Sequence, residues 1–331
     1  MTRYWFISTQ YRQSSKLALF TVLLAFFVIL LGAYTRLTDA GLSCPDWPHC
    51  FGYITAPHTP TQLETAAQRY PAAAIDVKKA WTEMTHRYFA GAEGILILIL
   101  SCTILFGSKA KDIKSVIIAL SLIALLCVQV MLGMLTVTQN LKPVIVLAHL
   151  ITGLSILSVL WWAYLSLNMH HDLFSTFRST SITPFLWLAF FIIAAQITLG
   201  GWVSTHYAGL ACVDFPYCNG NLLPNIDLKN YNSDLITIHM LHRIGAMITG
   251  IYFGILALAL LFNQHFRSIA ILLLLLICCQ ITLGILNIIW LRPVWVALLH
   301  HGVGILLLLT VITALVKASF IAGKRYGNWA R

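Results

Sequence analysis

LGAYTRLTDAGLSCPDWPHCFG at residues 31–52 and LGGWVSTHYAGLACVDFPYCNG at residues 199–220 are two copies of one segment. They align without a gap at an offset of 168 (31 against 199), which sets Cys44 on Cys212 and Cys50 on Cys218. A long-period internal repeat decides an architecture before any local reading does. Further matches extend it. TEMTHR at 82–87 pairs with IHMLHR at 238–243, setting His86 on His242, and Gln129 precedes His149 by 20 residues just as Gln280 precedes His300. A basic-Pro pair, Lys142-Pro143 or Arg292-Pro293, lies inside each of those last stretches.

Composition names the solvent in which the repeat folds. Of the 331 residues 59% are hydrophobic and 10% charged, far below the quarter that a water-soluble domain carries. Charge-poor windows long enough to cross the hydrocarbon core fall at roughly 17–35, 84–106, 115–138, 144–167, 183–205, 235–262, 268–290 and 294–316. Backbone polar groups find no water in lipid, so these windows must be helical. The fold class expected is therefore all-α integral membrane, with eight transmembrane helices in two tandem pseudo-symmetric four-helix bundles, residues 1–170 and 171–331. An even number of helices per half makes the repeats parallel, related by an axis along the membrane normal. The first window has the basic flank of a signal sequence but no small-residue cleavage site, so it is read as helix one. No Arg- and Ser-rich transit segment precedes it, which favours a bacterial inner membrane.

The Lys and Arg residues set the orientation. The set with both termini and the loops at Lys109, Lys111, Lys114, Arg178 and Arg267 holds 12 basic residues against Asp112 and Asp172. The opposite set balances nine basic residues with eight acids. Both termini are thus expected in the cytoplasm and the cysteine loops on the outer, periplasmic side. The net charge of +10 is cytoplasmic bias and contact with anionic lipid. No basic stripe suggests nucleic acid.

His86, His149, His242 and His300 each fall in the first turns of an even-numbered helix, so all four imidazoles share one depth towards the outer leaflet. Ionisable groups in lipid are costly and usually functional. Facing side chains in a helix bundle build cofactor sites, and paired axial imidazoles hold a heme iron. A bare metal would need a thiolate or carboxylate to complete its set, and none lies at this depth. The competing reading of each histidine is a hydrogen bond between helices. Arg87 and Arg243 follow two of the histidines and are placed either to pair with heme propionates or to snorkel to headgroups. His301 points about 100° away from its neighbour and is a bystander. Glu83 sits one turn outward of His86 on the same face, where the second half has His239. That asymmetry points to a reactive porphyrin in the first half and an electron-passing one in the second. Three Gln-x-x-x-Gly motifs (Gln129–Gly133, Gln196–Gly200, Gln280–Gly284) read as close helix packing.

The outer loops are oxidising ground, so disulfides Cys44–Cys50 and Cys212–Cys218 are expected. Pinning a loop is one role for them; redox participation by Cys44 and Cys50 is the sharper one. Cys102, Cys127, Cys278 and Cys279 read as inert packing residues. Pro60 to Trp81 reads as an interfacial amphipathic helix bordering a lateral opening for a lipid-like substrate.

Together, Glu83-Met84-Thr85-His86-Arg87, His149, His242-Arg243, His300 and the two loop cysteine pairs resemble the heme A synthase family over nearly the whole chain. The resemblance implies an oxidoreductase that converts heme O to heme A, a methyl group becoming a formyl group through a hydroxymethyl intermediate, in support of heme-copper oxidase assembly. It implies that His86 and His149 face the substrate heme in the first half, that His242 and His300 ligate a resident heme b in the second, and that Glu83 is the essential carboxylate. Cys44 and Cys50 match the family subset with a loop-one pair. Heme O is then the substrate, with heme O synthase, oxidase assembly factors and a second copy of the chain as possible partners. The alternatives are a membrane b-type cytochrome doing electron transfer only, which shared histidine depth disfavours, and a heme or small-molecule transporter.

Overall fold

The computed structural model describes residues 2–107, 113–168, 181–222, 224–227, 229–230 and 232–327, and the side chains of 2–12, 114 and 321–327 are not among its described features. Lys109, Lys111, Asp112, Asp172, Arg178 and Arg331, which carry part of the orientation argument, lie outside the described residues, as does the 170/171 boundary. Among the described residues the chain forms nine α-helices: α1 Thr2–Leu37, α2 Pro60–Arg69, α3 Val77–Phe106, α4 Ile113–Thr138, α5 Pro143–Asn168, α6 Thr183–Thr205, α7 Leu235–Leu261, α8 Arg267–Ile289 and α9 Val294–Gly327. All but α2 are long and apolar enough to cross a membrane, so the protein is an all-helical multi-pass membrane protein.

The helix ends follow from local chemistry. Pro60 opens α2, where its missing N–H costs nothing, and Thr59 and Gln62 complete a reciprocal capping box. This helix is shorter than the Pro60–Trp81 element expected from sequence. Pro71 disfavours helical backbone at the residue before it, and Tyr70 duly leaves the helix at φ −128°, ψ 65°. Asp76 then caps a new start by accepting the Lys79 N–H, so Ala80 and Trp81 belong to α3. Both basic-Pro pairs make the same tight turn. Asn140 and Leu141, and then Leu291 and Arg292, take left-handed backbone, and Leu141 N–H closes on Thr136 O at 2.8 Å as Arg292 N–H closes on Asn287 O at 2.7 Å. The helices α5 and α9 start directly after.

Compact units comprise Met1–Leu160 and Trp161–Arg331. In the first, α3 packs between α1 and α4, and Gly153 of α5 lies against Gln129 of α4 and Ile29 of α1. In the second, α6 packs on α7, α7 on α8, α8 on α9 and α9 back on α6, which closes a ring of helices. Of the span on α9, 61% is buried, against 17–28% for the others. Cys102, Cys127, Cys278 and Cys279 are exposed on the helix surfaces rather than packed as expected.

Candidate functional site

Each disulfide loop is built the same way, from its own residues. Cys44–Cys50 and Cys212–Cys218 are both bonded, with Cα atoms 4.6 Å apart. Asp46 accepts the N–H groups of Phe51 and Gly52 at 2.6 and 2.7 Å, and Asp214 accepts those of Asn219 and Gly220 at 2.6 and 2.8 Å. Gly52 and Gly220 have φ of +80° and +83°, a region open to glycine and strained for other residues. All four sulfur-bearing residues are buried. Because each disulfide closes a short loop, replacing Cys212 and Cys218 by serine is expected to lower stability by about 2 kcal/mol, read as a fall in melting temperature of the detergent-solubilised protein.

Acid sensitivity follows from the second loop. The Gly220 N–H first, with Asn219 N–H and Arg243, holds the Asp214 carboxyl below its ordinary range. A lowered folded-state pKa contributes stability above the ordinary carboxylate value, and that contribution is lost as pH falls through the lowered one. Proteolysis of this loop is expected to rise only on the acid side of the ordinary range, and Asp214→Asn to abolish that pH dependence.

An arginine from the helix beneath fastens each loop. Arg87 Nη1 donates to the carbonyls of Asp46, Pro48 and His49 at 3.0, 3.2 and 2.6 Å. Arg243 donates to those of Tyr217, Cys212 and Asp214 at 2.8, 3.2 and 3.0 Å. These contacts give the two cations a role that sequence did not suggest, as staples between helix and loop; snorkelling to headgroups is replaced by main-chain carbonyls.

The units differ beneath the staples. Glu83 is 3% exposed; one carboxylate oxygen accepts Arg87 Nη2 at 2.6 Å and the other the Cys44 N–H at 2.9 Å. The disulfide loop therefore grips this carboxylate through its backbone, a contact between residues 39 positions apart that no sequence pattern announced. In the second unit His239 donates from Nδ1 to Ala208 O at 2.9 Å instead.

The helices bring the four histidines to half-buried settings on apolar helices. Nδ1 of His86, His149 and His300 is buried without a hydrogen-bond partner. His149 is near enough to His86 to interact with it electrostatically. The rings of His242 and His300 stand 6.5 Å apart, centroid to centroid, with planes at 78°. Two imidazole nitrogens about 2 Å from one metal ion set their ring centroids about 6 Å apart, so this pair fits an iron that needs only two axial ligands. Among the described residues no group of three or more His, Cys, Asp or Glu side chains stands ready for a metal ion, and paired imidazoles suit a porphyrin iron better than a naked cation. His301 is likewise half-buried, with Nε2 unpartnered.

The Gln-x-x-x-Gly motifs touch the histidines directly. Gln129 lies 3.4 Å from His149 Nε2, Gln196 3.0 Å from His242 Nδ1 and Gln280 3.3 Å from His300 Nε2. The motifs were legible, but their target was not. Their amides bond across the helix contacts, as close packing implies, and the groups they meet there are ring nitrogens.

Comparison with known proteins bears on these features together. A model of the cytochrome oxidase assembly protein family (COX15-CtaA) matches residues 15–312. The heme A synthase of Shewanella oneidensis is 37% identical over 310 residues, which cover 88% of this chain and 93% of that protein. Those of Erythrobacter litoralis and Ehrlichia ruminantium are 27% and 29% identical, covering 87% and 83% of this chain and 91% and 84% of the relatives. The match spans both disulfide loops and all four intramembrane histidines, and the chain belongs to the COX15-CtaA family of cytochrome oxidase assembly proteins.

Proposed function

We propose that the protein is a heme A synthase, which oxidises the methyl group of heme O to a formyl group through a hydroxymethyl intermediate. The observation that carries this reading is the buried carboxylate of Glu83 one turn from His86, matched in the second unit by His239. Paired imidazoles in both units suit heme, and of the two equivalent positions beside the pairs only that of the first unit is a carboxylate.

In this reading His86 and His149 hold the substrate heme, and His242 and His300 hold a resident heme b that supplies one-electron chemistry when bound. Residues 1–170 then form the substrate half and 171–331 the heme b half. With water supplying the oxygen, the methyl-to-hydroxymethyl and hydroxymethyl-to-aldehyde steps each pass an electron pair to an external electron acceptor and release protons. Glu83 receives them on a lone pair that its bonds to Arg87 and the Cys44 N–H leave free, since a carboxylate has about four acceptor sites, and protonation weakens those two bonds. The Cys44 N–H bond is the weaker, being neutral on the donor side, whereas the Arg87 bond pairs two charges. Cys44 and Cys50 thus act on catalysis through the main chain of the loop, which sets where Glu83 rests. Arg87 and Arg243 add positive charge at the end of each site where propionates would lie. The sites face the periplasmic side of the inner membrane, with both termini in the cytoplasm.

Expression in a heme-O-producing bacterial host, followed by pigment extraction and mass analysis, tests the proposal. Heme A or its hydroxymethyl precursor, present only with this protein, is the expected result. Heme b alone on the purified protein, with heme O untouched, would make it an electron-transfer cytochrome instead.

A further inference from the structure

Each of the four imidazoles rests on a glycine of the transmembrane helix before its own. A Cβ added at Gly32, Gly133, Gly200 or Gly284 would lie 2.9, 3.3, 3.1 or 3.2 Å from Cε1 of His86, His149, His242 or His300. Contacts this tight leave no room for a methyl group unless the ring moves. The glycine platform is therefore common to all four rings.

The second contact is not. One helical turn before the glycine stands Gln129, Gln196 or Gln280, each with its amide nitrogen 3.0–3.4 Å from an imidazole nitrogen. In α1 the same place, four residues before Gly32, is Val28. Nδ1 of His86 is buried without a partner, and valine offers none. The Oε1 atoms of the three glutamines are themselves buried and unpartnered. An amide can turn either end to a ring nitrogen and so hold an imidazole in either tautomer.

We propose that Gln129, Gln196 and Gln280 are positioning residues that tether three of the four imidazoles as fixed ligands, and that Val28 leaves His86 as the exchangeable one. The proposal rests on the reading of these histidines as heme ligands. Gln196 meets Nδ1 of His242 and leaves Nε2 for a metal, whereas Gln129 and Gln280 meet Nε2 of His149 and His300 and leave Nδ1. A group bonding the nitrogen not given to the metal fixes the ring and typically changes affinity 10–100-fold. A ring held only by packing against Gly32 gives up its iron bond more readily. The substrate heme must enter and leave its site, so one detachable ligand serves turnover, whereas a resident heme is served by two tethered ones. Glu83 lies on the same helix as His86, one turn away.

Carbon monoxide binding to the dithionite-reduced protein, purified with its hemes from a heme-O-producing host, tests this by flash photolysis. The gas binds only where a ligand detaches. The wild-type first-half heme is expected to bind it, and Val28→Gln to slow binding about tenfold at unchanged heme content, the factor carried by one hydrogen bond of about 1.4 kcal/mol. Gln196→Val is expected to speed binding at the second-half heme by a similar factor, and it decides the matter alone if Val28→Gln fails to fold. Unchanged rates in both variants, with spectra that still respond to His86→Ala and His300→Ala, would overturn the tether while leaving the heme reading intact. Spectra indifferent to those histidine variants would overturn the heme reading and the tether with it.

Discussion

Glu83→Gln is expected to cut heme A output about a hundredfold or more, the range lost when a positioned proton acceptor is removed, while the protein keeps its bound heme. Glutamine is nearly isosteric and can still accept the Cys44 N–H, so the loop that lies on Glu83 keeps its place. What disappears is the negative charge and the capacity to take up a proton. The charge has a structural side, because Arg87 faces Glu83 at 2.6 Å with 13% of its side chain exposed. Leaving a largely buried cation unpaired costs about 3–5 kcal/mol in the general case, and three loop carbonyls around Arg87 soften that here. The double variant Glu83→Gln/Arg87→Met separates the two effects, since it removes both charges at once. It also removes the Arg87 bonds to the Asp46, Pro48 and His49 carbonyls, so its thermal stability is expected to stay below that of the wild type, and its heme A output to stay at the low level. Extracted heme A, normalised to heme b, is the measurement. Wild-type output from the double variant would remove Glu83 from the chemistry and leave it a structural partner of Arg87.

Sequence alone carried the architecture because lipid imposes a coarse rule. A backbone with no water must be helical, so charge-poor windows became eight spanning helices within a few residues of their true ends. The exceptions were the start of α1 at Thr2 and the end of α9 at Gly327, which run past the apolar windows, and the start of α3, where capping by Asp76 outran the hydropathy pattern and carried Glu83 and His86 further into the helix. The histidines were also legible, since an ionisable group repeated at equivalent positions in apolar helices is hard to explain otherwise. The disulfides were legible from cysteine spacing on an oxidising side. Contacts between elements were not. Nothing in the string says that the Cys44 N–H would fall on Glu83, because that bond depends on how a loop folds back over a helix many residues later. The arginines were visible as cations but their partners are main-chain carbonyls, which every residue has and no motif marks. Gln129, Gln196 and Gln280 were legible as amides that bond across close helix contacts, as they do; that the partner is a histidine ring was not, since spacing along one helix does not specify which neighbour lies opposite.

Truncation of His300 is expected to have the second large effect, and a different one. His300→Ala leaves Gln280 with no ring to meet and uncovers Gly284, while His242, 6.5 Å away, stays on its own glycine with Gln196 beside it. A heme in this unit would keep one axial ligand of two. Its occupancy should fall about tenfold or more, beyond the usual loss for removing an outer-shell partner, and any heme retained should turn from low to high spin. The space vacated has the shape of an imidazole, because the ring removed was packed against Gly284 and held by Gln280. Free imidazole added to the purified variant is therefore expected to restore the low-spin absorption spectrum, an effect that general unfolding of α9 would not permit. His149→Ala makes the contrast, since the same loss in the first unit should weaken capture of heme O and leave the resident pigment in place. A His300→Ala protein with full, low-spin heme would show that this histidine is only a helix-packing residue. The 6.5 Å pairing with His242 would then be a consequence of how α7 and α9 pack, with no iron between them.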